Sequence, residues 1–183
     1  MMVDVLPLSA VATNFTQSYM KIITILRHAK SSWSSSDLND HDRGLNHRGL
    51  RDREIMASVM EKNAIIPEII LCSTAARARK TVSAVAKDEW IAPQNIYFKE
   101  KLYLATESAL CTEIATVDDS FQHVMVCGHN PGLTEFVNEH TDLSIMNLPT
   151  CGLVTAQYEI ESWSGIFSAV GTMKYHLWPK LFL

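Results

Sequence analysis

Two histidines in this chain stand directly behind runs of apolar, largely β-branched residues, each beside a polar neighbour. Arg27-His28 closes "ITILRH", and His129-Asn130 closes "VMVCGHN". A third segment, "LCSTAARARK", carries Ser73 to Arg77 out of another apolar run. A hydrophobic core has no use for such groups, because a buried polar side chain costs free energy unless it is paired. Phosphate chemistry does have a use for them. A neutral imidazole is a nucleophile or proton carrier, and a guanidinium is a permanently charged planar fork that matches phosphate oxygens.

Each residue alone has an ordinary explanation: a surface ion pair for Arg27, a hydrogen-bonded core imidazole for His28 or His129. Arg77 is harder to dismiss. It falls in the first turn of an expected helix, where the helix dipole disfavours a cation unless an anion is held there.

These groups need a scaffold that brings strand ends together. "KIITIL" (21–26), "PEIILCS" (67–73) and "FQHVMVC" (121–127) read as buried strands, and "NIYFKEKLYLA" carries a less distinct one. Between them lie helical patterns. One runs from an Asn46 cap to Lys62 with Leu50, Ala57 and Met60 inward. A second is capped by Ser73 or Thr74, with Ala78, Val82 and Val85 at helical spacing. A third starts at Thr106, and a fourth follows Asn130 as cap and Pro131 as first helical residue. Two further strand-like segments, "LVTAQYEI" and "IFSAVGTMKYHLW", joined by "ESWSG", predict antiparallel pairing at a sheet edge.

The expected fold is therefore α/β: one domain, a mostly parallel central sheet flanked by helices on both faces, and an antiparallel edge strand. In such sheets ligands bind beyond the carboxyl ends of the strands, where helix N-termini favour anions. Three strand ends here carry the reactive groups.

Composition agrees with this reading. The chain has 183 residues, 47% hydrophobic and 20% charged, with a formal net charge of −4. That balance argues against a nucleic-acid partner, whose affinity comes from clustered Lys and Arg. No apolar run approaches the ~18 residues of a membrane span. Cys72, Cys111, Cys127 and Cys151 form no C-x-x-C pair and read as buried, reduced thiols, which suggests a cytoplasmic location. Residues 1–19 lack the basic start of a secretory signal and read as an extension to a domain spanning 20–183.

Three ordered motifs, "LRHAKSSW", "CSTAARARKT" and "VMVCGHNPGL", resemble the histidine phosphatase superfamily, and "RHAKSSW" with "GHNPGL" is similar to its small SixA-type phosphohistidine phosphatase branch. "DHDRGLNHRG", with Gly44 where the branch usually has proline, and "LPTCG" extend the likeness over about residues 20–178. The resemblance implies His28 as nucleophile, Arg27 and Arg77 as phosphoryl ligands, and His129 as the second active-site histidine. Asn130, at the same strand end, is a further phosphate-binding candidate.

Larger members of that superfamily carry a helical lid with an acidic proton donor. Here only residues 88–104 separate the Arg77 helix from the segment leading to Thr106, so no lid subdomain is expected. Glu100 and Glu107 are the nearest candidate acids. Without a strong acid, P–N bonds and activated phosphoesters are favoured, in a phosphorylated protein or a small phosphorylated molecule. A mutase-like phosphotransferase and a noncatalytic phosphate-binding module remain as alternatives. No cofactor is expected, nor a catalytic metal, because His41, His47 and the nearby aspartates lack H-E-x-x-H or comparable spacing.

Overall fold

In the computed structural model, residues 19–33, 39–87 and 89–183 are described. The expected extension, residues 1–19, lies outside them except for Tyr19. Six strands form one sheet: β1 (Met20–Arg27), β2 (Ile69–Ser73), β3 (Ile96–Lys99), β4 (His123–Gly128), β5 (Leu153–Glu159) and β6 (Thr172–Leu177). The order across the sheet is β3-β2-β4-β1-β5-β6.

β1 to β4 are mutually parallel where they pair, and β5 runs antiparallel to both neighbours. The antiparallel pairing at the edge is as the sequence predicts, with β6 outermost. The segment before β6 differs: Trp163–Ser168 coils into a 3-10 helix capped by Ser162, and only Thr172–Leu177 is strand.

Alternation along the strands sends residues to two separate cores. Val124 and Val126 of β4 join Ile23 and Ile25 beneath α3 (Glu107–Ile114) and α4 (Gly132–His140), and Met125 and Cys127 join Leu26 beneath α1 (His47–Lys62) and α2 (Ala76–Val85). All four cysteines are free and buried. No helix among the described residues is long and apolar enough to cross a membrane.

Helix starts were only partly as expected. Asn46 accepts from Gly49 N as the predicted cap, and Thr106, expected as the first residue of its helix, is instead the cap of α3, accepting from Ala109 N. α2, however, begins after Ala75 with no side-chain cap, and α4 begins after Pro131, so none of Ser73, Thr74 and Asn130 caps a helix. Leu50 is 39% exposed, because the inward stripe of α1 runs instead through Met56, Ala57, Val59 and Met60.

Two glycines let helices approach the loops that follow the strands. A Cβ on Gly49 would lie 2.2 Å from Lys30 O, and one on Gly132 would lie 2.0 Å from Ala105 O. Each contact locks a helix start against a loop that borders the strand ends.

Candidate active site

β2, β4 and β1 are adjacent and parallel, with Arg27 opposite Gly128 and Cys72 opposite Cys127. Their carboxyl ends therefore stop at one level. Around them is a cavity of about 330 Å³ whose lining includes Arg27, His28, Asp40, Arg43, Arg77 and His129. Lys30 and Asn130 also border it. A larger cavity, about 560 Å³, is lined by Met20, Gln157 and Lys174 among others and contains neither arginine nor histidine.

His28 is held by its backbone on both sides. Its N–H donates to Gly128 O at 3.1 Å, and its carbonyl accepts from Cys151 N at 3.2 Å. The ring is fixed as well: Nδ1 lies 2.7 Å from Ala29 O. A carbonyl only accepts, so Nδ1 carries the hydrogen and Nε2 keeps its lone pair. Burial lowers the His28 pKa to about 4; the Ala29 bond opposes this, and Arg77, Arg27 and Arg43 reinforce it. The imidazole is neutral at pH 7.

Arg77, the second residue of α2, is 3% exposed. One edge of its guanidinium faces the histidines, with Nε donating to His28 Nε2 at 3.3 Å and Nη2 to His129 Nδ1 at 3.4 Å. Asp40 clamps the other edge: Nη2 donates to its Oδ2 at 2.9 Å and Nη1 to its backbone carbonyl. The carboxylate also accepts from Arg43 and, at 2.6 Å, from the Tyr103 hydroxyl. Tyr103, followed by Arg43 and Arg77, holds the Asp40 carboxyl far below the usual carboxylate range despite the opposing cost of burial.

His129 completes the cluster, its ring centroid 5.0 Å from that of His28. Because Nδ1 receives a hydrogen from Arg77, Nε2 carries its own and donates to Ser73 Oγ at 2.8 Å. Burial first, then the neighbouring His28 and Arg77, lower its pKa to about 3.

Arg27 anchors the opposite wall. Its Nη1 donates to Leu148 O at 2.7 Å, and Asn130 Nδ2 reaches the same carbonyl at 3.2 Å. Three buried polar atoms of cavity-lining residues have no partner: Arg27 Nε, Arg43 Nε and Asn130 Oδ1. Two of these are cationic donors.

The predicted set Arg27, His28, Arg77, His129 and Asn130 is thus brought to one cavity. The two candidate acids are not. Glu100 is exposed in a 3-10 turn, and Glu107 Oε1 lies 2.6 Å from His140 Nε2; neither lines the cavity. Sequence reasoning missed Asp40, Arg43, Tyr103 and the Ser73–His129 bond. "DHDRG" offered a signal in its paired charges at i and i+3, but Tyr103 offered none.

A sequence profile of the histidine phosphatase superfamily (branch 1) matches residues 23–97. An uncharacterized chloroplastic protein of Arabidopsis thaliana is 29% identical over 176 residues, covering 90% of this chain and 80% of that protein. An uncharacterized Mycobacterium tuberculosis protein is 36% identical over 106 residues, or 58% of this chain and 63% of the relative. Among solved structures, a SixA protein of Agrobacterium tumefaciens superposes with a TM-score of 0.73 at 28% identity, covering 87% of this chain and 98% of that one. The protein histidine phosphatase SixA complexed with tungstate gives a TM-score of 0.73 at 17% identity, over 88% and 99% of the two chains.

Proposed function

We propose that this chain, which belongs to the histidine phosphatase superfamily and has the fold of its SixA members, hydrolyses phosphoryl groups through a covalent intermediate on His28. The observation that carries the reading is the committed tautomer of His28. With Nδ1 bound to Ala29 O, the lone pair sits on Nε2, beside the inner edge of Arg77.

Nε2 attacks phosphorus, an N–P bond forms, and the leaving group departs with the bonding electrons. Water then attacks the phosphohistidine, releasing phosphate and restoring the imidazole, so one difficult displacement becomes two easier ones. Arg77 turns its Nε and Nη2 hydrogens from the imidazoles to the phosphoryl oxygens, and the orphaned donors on Arg27 and Arg43 gain acceptors. His129 donates from Nδ1 once the Ser73 hydroxyl reverses and donates to Nε2, a change that moves only hydrogens. Tungstate in the similar SixA structure is an oxyanion of the kind such a cradle accepts.

The substrate class follows from the acid. Asp40 is the one carboxylate among the residues lining the cavity, and it is held ionised by Tyr103 and two arginines, so it has no proton to give. Phosphohistidine, whose leaving nitrogen takes a proton readily, and activated phosphoesters are the substrates this arrangement serves. Exposed Trp33 and Leu104 border the cavity and leave room for a protein side chain. Catalysis is metal-independent: three arginines and a lysine outnumber the single Asp40 carboxylate in the cavity, and Asp40 is already engaged by Arg43, Arg77 and Tyr103, so a cation is repelled.

Acid-quench trapping with a labelled aryl phosphate tests the mechanism. Acid-labile phosphate on His28, lost together with turnover in His28→Ala, is the expected result. Acid-stable label, or label elsewhere, would sink it. For the substrate class, alkyl phosphates should turn over at least a hundredfold more slowly than aryl phosphates, about 2.7 kcal/mol of barrier.

A further inference from the structure

Away from the cavity, three potential metal ligands converge between α3 and the end of α4. Glu107 and Cys111 sit one turn apart on α3, and His140 is the last residue of α4. Glu107 Oε1 lies 2.6 Å from His140 Nε2 and 3.0 Å from Cys111 Sγ, and Cys111 Sγ lies 3.4 Å from His140 Nε2. Among the described residues this is the one group of three histidine, cysteine or carboxylate side chains so placed. Cys111 is fully buried and His140 is 6% exposed.

We infer that Glu107, Cys111 and His140 form a zinc site that ties α3 to the carboxyl end of α4. Three observations support it. First, the donor set is one oxygen, one sulfur and one imidazole nitrogen, a combination that suits zinc, whereas calcium and magnesium take oxygen ligands. Second, His140 Nδ1 lies 3.2 Å from Ala169 O, to which it donates. Anchoring one ring nitrogen to a carbonyl while the other faces the metal is how metal-binding histidines are generally held.

Third, the spacing is close to what a metal needs. With Zn–O and Zn–N near 2.1 Å and Zn–S near 2.3 Å, tetrahedral ligand atoms lie roughly 3.3–3.6 Å apart. The sulfur–nitrogen separation is already there, and a small rotation of the Glu107 carboxylate opens the other two. Glu107 is partly exposed, its side chain 21% accessible, so the fourth position faces a route for water. Binding replaces the thiol proton of Cys111 and any proton between His140 and Glu107 with the metal, and both protons leave to solvent.

The site would stabilise and not catalyse. The loop that supplies Ala169 O also closes on α4 through Gly171 N, which donates to His140 O at 2.9 Å, so one metal would join two helices and a loop.

The test uses the full-length chain, stripped with EDTA and returned to chelator-free buffer. Titration with Co2+ should saturate at an equimolar ratio, with the visible bands of a tetrahedral ion and a near-ultraviolet thiolate-to-cobalt band. Equimolar Zn2+ should displace both. Zinc about a hundredfold above its Kd should raise the melting temperature by about 5 °C or more. Cys111→Ser should remove the thiolate band. Should that variant not fold, Glu107→Gln, a change on a partly exposed side chain, should weaken zinc binding about tenfold or more with unchanged circular dichroism. A native chain with no thiolate band, a band that survives Cys111→Ser, or native zinc affinity in Glu107→Gln overturns the assignment.

Discussion

His28 and His140 are anchored by the same device and surrounded by opposite chemistry. Each is buried, and each commits Nδ1 to a backbone carbonyl, Ala29 O for one and Ala169 O for the other. Around His28 Nε2 stand donors: Arg77 directly, with Arg27 and Arg43 farther out. Around His140 Nε2 stand a carboxylate and a thiol. In the roles proposed above, one imidazole is thereby directed at an electrophile carrying anionic oxygens, the other at a proton or a cation. The neighbours, not the histidine, set the chemistry.

The largest expected effect comes from removing the donors. Arg77→Ala should lower kcat with an aryl phosphate by about a hundredfold to a thousandfold, as loss of a preorganised transition-state donor does. Arg77→Lys should recover only part of it, since a point charge lacks the planar fork. A kcat near the native value in steady-state assays would remove the contrast between the two sites.

Acid should expose the cost of keeping imidazoles neutral. The folded-state values of His28, His129 and His123, about 4, about 3 and about 4, lie below their ordinary 6.5. Between those values the unfolded chain binds more protons, so stability is retained above pH 6.5 and lost as pH falls toward 4. His123 is held by Thr24 outside the cavity, so His123→Gln isolates burial from the arginines. It should flatten the loss between pH 7 and 5 by about 1–2 kcal/mol in urea titrations. An unchanged slope would mean that His123 is not kept neutral.

Asp40→Asn should act more subtly, since it leaves the arginines in place but loosens one edge of Arg77. We expect kcat to fall about tenfold, roughly 1.4 kcal/mol, while inhibition by phosphate strengthens because a negative charge has left the cavity. A parallel weakening of both would point to simple collapse of the pocket instead.

Much of this was legible in the sequence because the relevant signals are local. Apolar runs that end abruptly in Arg27-His28, Ser73 and Gly128-His129 mark strand ends, and adjacency of parallel strands then gathers them. The cap Asn46 and, to within one residue, the helix start at Thr106 were equally readable, since a cap acts within three residues of itself. What escaped depends on distance. Asp40 reaches Arg77 from 37 positions away and Tyr103 reaches Asp40 across 63, and no local pattern encodes either meeting. Leu50 was placed inward by spacing alone, but at that turn of α1 the covered side carries Gly49 and Asp52 instead. Glu107 was noticed for its charge, and only the fold shows that its partner is His140.

Trp33 is 74% exposed, and the Arg43 guanidinium lies 3.6 Å from its ring centroid. The same guanidinium is bonded to Asp40 at the mouth of the cavity. An oxyanion that draws Arg43 toward itself should therefore change the charge held against the indole face and shift the tryptophan emission. Phosphate titration compared between the native chain and Trp33→Phe would show whether Trp33, one of four tryptophans, serves as an optical gauge of cavity occupancy.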